Sequence, residues 1–262
     1  MTDNILKIHS LKKSFGGLVV IDDVSFDVAK ASKTALIGPN GAGKTTIFNL
    51  LSGVYDVDGG SIFLDGVDIT QIEAHDRVLH GLSRSFQNIR LMPHLSTVEN
   101  VMLGQQATSR GWQDMLYPLS IFTKNRWHQE AEDALADAGI GTYPGEVVAN
   151  LPYGIQKRIE VVRAIISKPK LLLLDEPAAG LNRAETDQLH ELLDRVHASG
   201  VTLLVVEHDM HFVRSLCDHV VVLNFGEKIF EGSPDLVQKD PEVLRAYLGT
   251  DDDEEEDAAN AS

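Results

Sequence analysis

The stretch GPNGAGKTT, residues 38–46, is the strongest indication of fold in this sequence. It matches the pattern G-x-x-x-x-G-K-[ST], in which glycines let backbone N–H groups turn inward on a chain of phosphates. In such a loop Lys44 reaches the β- and γ-phosphates, and the Thr45 hydroxyl is suited to ligate Mg²⁺. This phosphate loop predicts a bound nucleotide, held by Gly38, Pro39, Asn40, Gly41, Ala42, Gly43, Lys44, Thr45 and Thr46.

The sequence on either side of the phosphate loop supports this interpretation. Residues 33–37 are typical of a buried strand, and residues 45–51 of a helix whose N-terminus favours an anion. A glycine-rich surface turn could match the pattern by chance. Such a turn would need neither a buried strand before it nor a helix after it, so the flanks favour phosphate binding.

Size and composition indicate one large α/β domain, or a domain with an inserted subdomain. The chain has 262 residues, of which 43% are hydrophobic. No apolar run approaches the roughly 20 residues of a membrane helix, and the first residues lack the apolar core of a signal peptide. Cys217 is the only cysteine, so no internal disulfide is possible, as expected in a reducing cytoplasm.

The charge of the chain argues against a nucleic-acid partner. The formal net charge is −16, and seven of the negative charges lie in residues 251–257, which leaves −9 for the rest. A protein this acidic is poorly suited to binding nucleic acid, because neutralisation of phosphates by basic residues dominates the affinity of such binding. Residues 250–262 are predicted to be an acidic, disordered tail, with partner binding as the alternative.

The hydrophobic pattern divides the chain into a core and a helical insertion. Predicted strands alternate with helices, which indicates an α/β fold with a mostly parallel core sheet. Residues 171–174, all leucine, suit a strand that is buried on both faces. We predict a domain at 1–249, with its core at 1–92 and 168–249 and a helical subdomain at 93–167.

Three local features complete this outline. The segment 12–17 is predicted to be a loop that presents Phe15 between two strands. The sequence at 96–99, Ser-Thr-Val-Glu, is a capping box and predicts the start of a helix. The stretch 108–126 has no clear period and stays without a prediction.

From about residue 5 to residue 249 the chain resembles the nucleotide-binding subunit of an ATP-binding cassette transporter. The resemblance is carried by six elements in the order of the family: 38–46, Gln87, 151–158, 171–176, 179–182 and His208. It implies a P-loop NTPase of the cassette type, with an antiparallel β subdomain and an inserted helical subdomain. It also implies that ATP and Mg²⁺ are bound and that ATP is hydrolysed.

The resemblance assigns roles to single residues. Asp175 ends the apolar strand, where a carboxylate can hold Mg²⁺, and Glu176 corresponds to the general base for the attacking water. Gln87 corresponds to a sensor of Mg²⁺ and water, His208 to a contact of the γ-phosphate, and Phe15 to the ring that stacks on adenine. Without the other family elements, these residues would have ordinary explanations. Acidic residues often balance a helix N-terminus, and a single glutamine, histidine or phenylalanine does not indicate a function.

The signature segment, residues 151–158 with the sequence LPYGIQKR, departs from the family's common Leu-Ser-Gly-Gly-Gln. Pro152 replaces a serine and has neither a hydroxyl nor a backbone N–H. Tyr153 and Ile155 replace a glycine and the glutamine. Gly154 remains, so its N–H is predicted to contact the ATP that is bound by the opposite subunit.

With these departures, the signature segment is similar to that of the LivG-type ATPases of branched-chain amino acid importers. Further likenesses are AAGLN at 178–182, with Asn182 in place of a common aspartate, VEHDM at 206–210 and RAYLG at 245–249. The resemblance implies permease subunits, a second identical or different ATPase subunit, and indirectly a periplasmic binding protein. It implies a cytoplasmic location on the inner face of the membrane.

Other functions remain open at this point. Importers for other amino acids, amides or urea use similar ATPases. A non-transport cassette ATPase would be expected to carry tandem cassettes or coiled-coil arms. A P-loop kinase would not explain the signature segment, Asn182 and His208 in sequence.

Overall fold

The computed structural model describes residues 3–85, 89–106 and 121–247. The described residues up to 73 and from 202 onward form a first unit, and those between 74 and 201 form a second unit. The predicted tail at 250–262 lies outside the described residues, as does most of the stretch 108–126. The predicted helical boundaries at 93 and 167 both fall inside the second unit and stay predictions.

The strands of the described residues follow the predicted alternation. They are β1 Asn4–Phe15, β2 Leu18–Ala29, β3 Lys33–Ile37, β4 Gly59–Leu64, β5 Val67–Asp68, β6 Leu82–Arg84, β7 Leu171–Asp175, β8 Thr202–Val206, β9 His219–Asn224 and β10 Glu227–Gly232.

Most helices of the described residues lie between strands along the chain, and the last two follow β10. They are α1 Lys44–Leu51, α2 Ala74–Arg77, α3 Thr97–Gln106, α4 Ile121–Asp137, α5 Tyr153–Ile165, α6 Arg183–Ala198, α7 Met210–Leu216, α8 Pro234–Val237 and α9 241–247. The predicted α/β fold is confirmed.

The first unit contains an antiparallel sheet with the order β2-β1-β4-β5. The prediction of a loop at 12–17 is wrong for most of its length, because β1 continues to Phe15 and pairs it with Leu18. Gly16 and Gly17 have φ of 55° and 89° and form a two-residue hairpin turn. Such turns need positive φ at both positions and match the twist of the strands, which lets pairing run up to the turn.

The first unit also holds part of the parallel core sheet. Strand β3 lies between β8 and β9 and is parallel to both, while β10 is antiparallel to β9. All five residues of β8 are buried. Because β3 and β8 are parallel neighbours, their carboxyl ends meet at the same edge of the sheet, where the chain enters the phosphate loop and the segment that begins at 207.

The second unit combines the parallel pair β6 and β7 with a group of helices. All five residues of β7 are buried, as its run of leucines predicts. Helix α3 packs against α4 and α5. The capping box is confirmed, since the Glu99 carboxylate accepts the Ser96 N–H at 2.8 Å while Ser96 Oγ accepts the Glu99 N–H at 3.3 Å.

Candidate nucleotide-binding site

The phosphate loop leaves β3 at its carboxyl end and runs into α1. Gly41 and Gly43 have φ of 78° and 101°, a region that only glycine enters without strain. A Cβ on Gly43 would lie 2.5 Å from Ile21 Cδ1. The turn between β9 and β10 braces the loop, because the Gly226 N–H donates to the Ala42 carbonyl at 3.2 Å. Glycine is therefore required here both by conformation and by space.

Lys44 lies in the middle of the phosphate loop. Its side chain is buried, and Nζ donates to the Gly38 carbonyl at 2.6 Å and to the Pro39 carbonyl at 2.8 Å. The ammonium group is thus surrounded by loop backbone at the N-terminus of α1. A positive charge in this position strongly favours an anionic ligand such as a polyphosphate.

An exposed aromatic ring ends β1 in the same unit. Phe15 is 40% exposed and meets the Tyr55 ring edge-on, with centroids 5.1 Å apart. Lys13 Nζ lies 5.3 Å from the Phe15 centroid and pairs with Asp58 at 2.7 Å. Hydrogen bonds from Lys13 and from the Ser14 N–H lower the pKa of Asp58. The ring is held by its neighbours and retains surface on which a planar base could stack.

His208 follows β8 and therefore lies at the sheet edge from which the phosphate loop begins. Its side chain is 68% exposed, with Nδ1 3.8 Å from the buried Glu207 carboxylate. The next residue, Asp209, caps α7 by accepting the N–H groups of His211 and Phe212. The structure thus brings the phosphate loop and His208 to one edge of one sheet.

The carboxylate pair lies in the second unit, at the end of β7. Asp175 is buried, and its Oδ2 lies 2.7 Å from Nη2 of Arg84, an equally buried side chain at the end of β6. Glu176 has φ of 45°, in the left-handed region. A non-glycine residue there costs about 1–3 kcal/mol, and such strain concentrates at functional sites. Arg84 was not predicted as a site residue, because nothing in the local sequence Leu82-Ser83-Arg84-Ser85 distinguishes it from a surface arginine.

The start of the signature segment packs against α6 and the turn before it. Pro152 is the N-cap of α5. A Cβ on Gly154 would lie 2.6 Å from the Glu185 carboxyl carbon, and one on Gly180 would lie 3.2 Å from the Tyr153 ring. Gly154 therefore has a packing reason to be glycine, and its predicted phosphate contact stays a prediction.

Asn182, the residue in place of the family's aspartate, begins α6. Its Oδ1 accepts the Glu185 N–H at 3.1 Å, while Glu185 Oε2 accepts the Asn182 N–H at 3.0 Å. This is a complete capping box, which the N-x-x-E pattern at 182–185 signals in the sequence. The substitution thus preserves a stable start for α6.

The predicted Mg²⁺ ligands are oxygen donors, as this hard cation prefers. The Thr45 residue is exposed in the first turn of α1, and Asp175 ends β7. Gln87, the third predicted ligand, lies outside the described residues. Within the described ranges no group of three or more His, Cys, Asp or Glu residues could hold a metal. Mg²⁺ commonly takes few protein ligands and completes its shell with phosphates and water, so the residues fit it.

No helix in the described part of the chain is long and apolar enough to cross a membrane.

Two family models match the sequence. One, described as "ABC transporter", covers residues 21–179, and the other, "Branched-chain amino acid ATP-binding cassette transporter", covers residues 227–253. Curated relatives match nearly end to end. The "High-affinity branched-chain amino acid transport ATP-binding protein BraF" of Pseudomonas aeruginosa is 37% identical over 253 residues, which are 95% of this chain and 99% of the relative. The corresponding LivG protein of Escherichia coli is 36% identical over 255 residues, with the same two shares.

Solved structures agree with the sequence matches. A nucleotide-free ATP-binding cassette from an ABC transporter superposes with a TM-score of 0.84 at 28% identity, covering 93% of this chain and 98% of the other. An ADP-bound cassette superposes with a TM-score of 0.83 at 28% identity, covering 94% and 99%.

Proposed function

Since the chain belongs to the ATP-binding cassette transporter family and is an ATPase with that family's fold, we propose that it powers an importer of branched-chain amino acids. The observation that carries the cargo assignment is the family model at 227–253, because the cassette itself serves transporters of many cargoes. The similarity to BraF and LivG over 95% of the chain supports the same assignment.

The first unit supplies the nucleotide contacts in this proposal. The inward-facing N–H groups of the phosphate loop and the Lys44 ammonium hold the β- and γ-phosphates. Phe15 stacks on the face of the adenine ring. Such stacking depends on the flat shape of a base more than on its hydrogen-bonding edge. His208 contacts the γ-phosphate from the neighbouring strand end, a role that its exposed side chain supports.

The second unit supplies the chemistry. Glu176 orients the attacking water and accepts its proton, and the strained backbone at this residue supports a functional role. Thr45, Gln87 and Asp175 would hold Mg²⁺, which neutralises charge on the phosphates during transfer. Arg84 pairs with the buried Asp175 carboxylate at 2.7 Å and holds it in place at the end of β7.

The working assembly in this proposal is a dimer of ATPase subunits, identical or not, beneath two membrane permease subunits. The signature segment of one subunit faces the phosphate loop of the other, with the Gly154 N–H directed at the γ-phosphate. A periplasmic binding protein delivers the cargo and acts on the ATPase only through the permease. The protein then works at the cytoplasmic face of the membrane and needs no nucleic acid.

Uptake by whole cells tests the cargo. Deletion of the gene should abolish high-affinity uptake of labelled leucine, isoleucine and valine. The wild-type gene should restore that uptake, and a Glu176→Gln copy should not. Urea and acetamide uptake serve as parallel assays. Loss of urea or acetamide uptake with normal leucine uptake would contradict the cargo assignment and indicate the other cargo. No change in any uptake would contradict the importer role.

A further inference from the structure

We infer that Tyr153 is a positioning residue for Glu176: its ring packs on the turn that follows Glu176 and connects that turn to the signature segment of the same chain. This role rests on the proposed function, in which Glu176 is the base and the signature segment faces the ATP of the opposite subunit. It gives a task to a tyrosine that stands where the family's common Leu-Ser-Gly-Gly-Gln has a glycine.

The backbone after Glu176 folds into two short turns, each closed by a hydrogen bond. The Ala179 N–H donates to the Glu176 carbonyl at 3.2 Å, and the Leu181 N–H donates to the Ala178 carbonyl at 3.2 Å. Glu176 and Gly180 both have positive φ, at 45° and 78°. Because only three residues separate them and both turns are hydrogen-bonded, a displacement of Gly180 also moves the backbone that carries the Glu176 carboxylate.

The Tyr153 ring lies directly on the second of these turns. A Cβ on Gly180 would lie 3.2 Å from Cε1 of the ring, 3.7 Å from Cζ and 3.8 Å from the phenolic oxygen. Glycine at position 180 therefore both accepts the positive φ and leaves the space that the ring occupies. The nearest atoms are ring carbons, so a phenylalanine at position 153 would keep most of the contact.

The signature segment contacts the same stretch of chain at a second place. A Cβ on Gly154 would lie 2.6 Å from the Glu185 carboxyl carbon, and Glu185 closes the capping box with Asn182 at the start of α6. Tyr153 and Gly154 thus contact the two ends of residues 180–185. All of these residues belong to the second unit. The first turn of α5 therefore holds the whole segment that leads from Glu176 into α6.

This arrangement couples the signature segment to catalysis within one chain. Tyr153 is held in turn by its own helix, since Lys157 Nζ lies 5.9 Å from the ring centroid. A shift of the signature segment on meeting the opposite nucleotide then moves the turn after Glu176 with it. Without the ring the carboxylate loses this support, and a misplacement of about 1 Å can slow a reaction about 10²-fold. The phosphate loop is not part of this contact, so the affinity for ATP should not change.

The first test separates hydrolysis from binding. In the assembled transporter, Tyr153→Ala should lower kcat about tenfold while the KM for ATP stays within about twofold of wild type. The Kd of the isolated full-length subunit for Mg-ATP should also stay within about twofold. Tyr153→Phe should restore at least half of the wild-type kcat. Unchanged kcat in Tyr153→Ala would overturn the inference, and so would equal losses in the Ala and Phe variants.

Two glycines of the second unit supply a matched control. Gly180 and Gly139 have φ of 78° and 72°, but a Cβ on Gly139 would meet nothing within 4 Å. Alanine strains both backbones alike, and only Gly180→Ala presses a methyl group on the Tyr153 ring. Gly180→Ala should lower kcat at least about tenfold more than Gly139→Ala. Its effect should be much smaller in the Tyr153→Ala background, because residues in contact are not additive. Equal losses in the two glycine variants, or full additivity with Tyr153→Ala, would contradict the contact.

A purely interfacial role of Tyr153, which is 44% exposed, predicts a different result. Glu176→Gln and Glu176→Gln with Tyr153→Ala should form the ATP-bound dimer at the same ATP concentration in gel filtration. Loss of the dimer in the double variant would overturn the inference and assign Tyr153 to the subunit interface. Turnover of Glu176→Gln above half of the wild-type value would end both this inference and the proposed role of Glu176. An inactive Glu176→Gln with unchanged kcat in Tyr153→Ala would end the inference alone.

Discussion

The phosphate loop and the signature segment both place glycine at the start of a helix, but for different reasons. Gly43 precedes α1 with φ of 101°, so its backbone conformation itself demands glycine. Gly154 lies in the first turn of α5, and a larger residue there would have to displace the Glu185 carboxylate, 2.6 Å from the position of a Cβ. A glycine required by conformation belongs to a fixed sequence pattern. A glycine favoured by packing depends on a neighbour that is distant in the sequence and that can move.

The two segments therefore contribute differently to nucleotide binding. The phosphate loop holds a buried ammonium inside its own backbone and should bind nucleotide without any partner. The signature segment offers one glycine N–H, with Pro152 before it, and should act only across a dimer.

The largest effect is expected at the carboxylate that follows β7. Glu176→Gln keeps the size of the side chain but removes the proton acceptor, so hydrolysis should fall by about 10²–10⁴. Mg-ATP binding should persist, and an ATP-bound dimer should accumulate because the sandwich opens only after hydrolysis. Turnover and gel filtration with ATP measure both. Turnover above half of the wild-type value would remove Glu176 from the role of base.

Charge at the signature segment should have the next largest effect. Gly154→Asp and Gly154→Asn add side chains of the same shape, and both must displace the Glu185 carboxylate. If the segment faces a γ-phosphate, Asp should reduce the ATPase activity of the assembled transporter at least about tenfold more than Asn, because like charges repel strongly in a partly desolvated interface. ATP affinity of the isolated subunit should be unchanged in both.

Equal losses of ATPase activity in the Gly154→Asp and Gly154→Asn variants would contradict the proposed phosphate contact of Gly154. Packing against Glu185 would then be the whole reason for this glycine. Thermal unfolding of the same pair separates a folding defect from a catalytic one.

The smallest effect is expected at Pro152. Pro152→Ser restores the family's common residue at the N-cap of α5, where serine is a favoured cap, and adds no charge. Transport-coupled ATPase activity should stay within about twofold of wild type. A large loss would mean that proline itself shapes the dimer contact in this chain.

The phosphate loop was predictable from sequence because its chemistry is local. The phosphate-binding pattern lies within residues 38–46, between a strand and a helix that were both predicted, although Ile21 and Gly226 also contact the loop. The buried strand β7 was predictable for a related reason, since residues 171–174 are apolar without interruption.

Contacts between distant residues were not predictable. The pairing of Arg84 with Asp175 depends on the register of β6 and β7, and the hydrogen bond from the Gly226 N–H to the Ala42 carbonyl joins the turn between β9 and β10 to the phosphate loop. The end of β1 was misjudged because Lys12, Lys13 and Ser14 are polar, while strand pairing across a two-glycine turn decides their structure.

Two buried lysines provide a direct test of whether the phosphate loop is the nucleotide site. Lys44 lies in the phosphate loop and Lys157 in the signature segment, and both side chains are less than a tenth exposed. Equilibrium titration of the isolated subunit with a fluorescent ATP analogue should show weakened or lost binding for Lys44→Ala and wild-type affinity for Lys157→Ala. Unchanged affinity in Lys44→Ala would contradict the account, because the phosphate loop would then not be the nucleotide site.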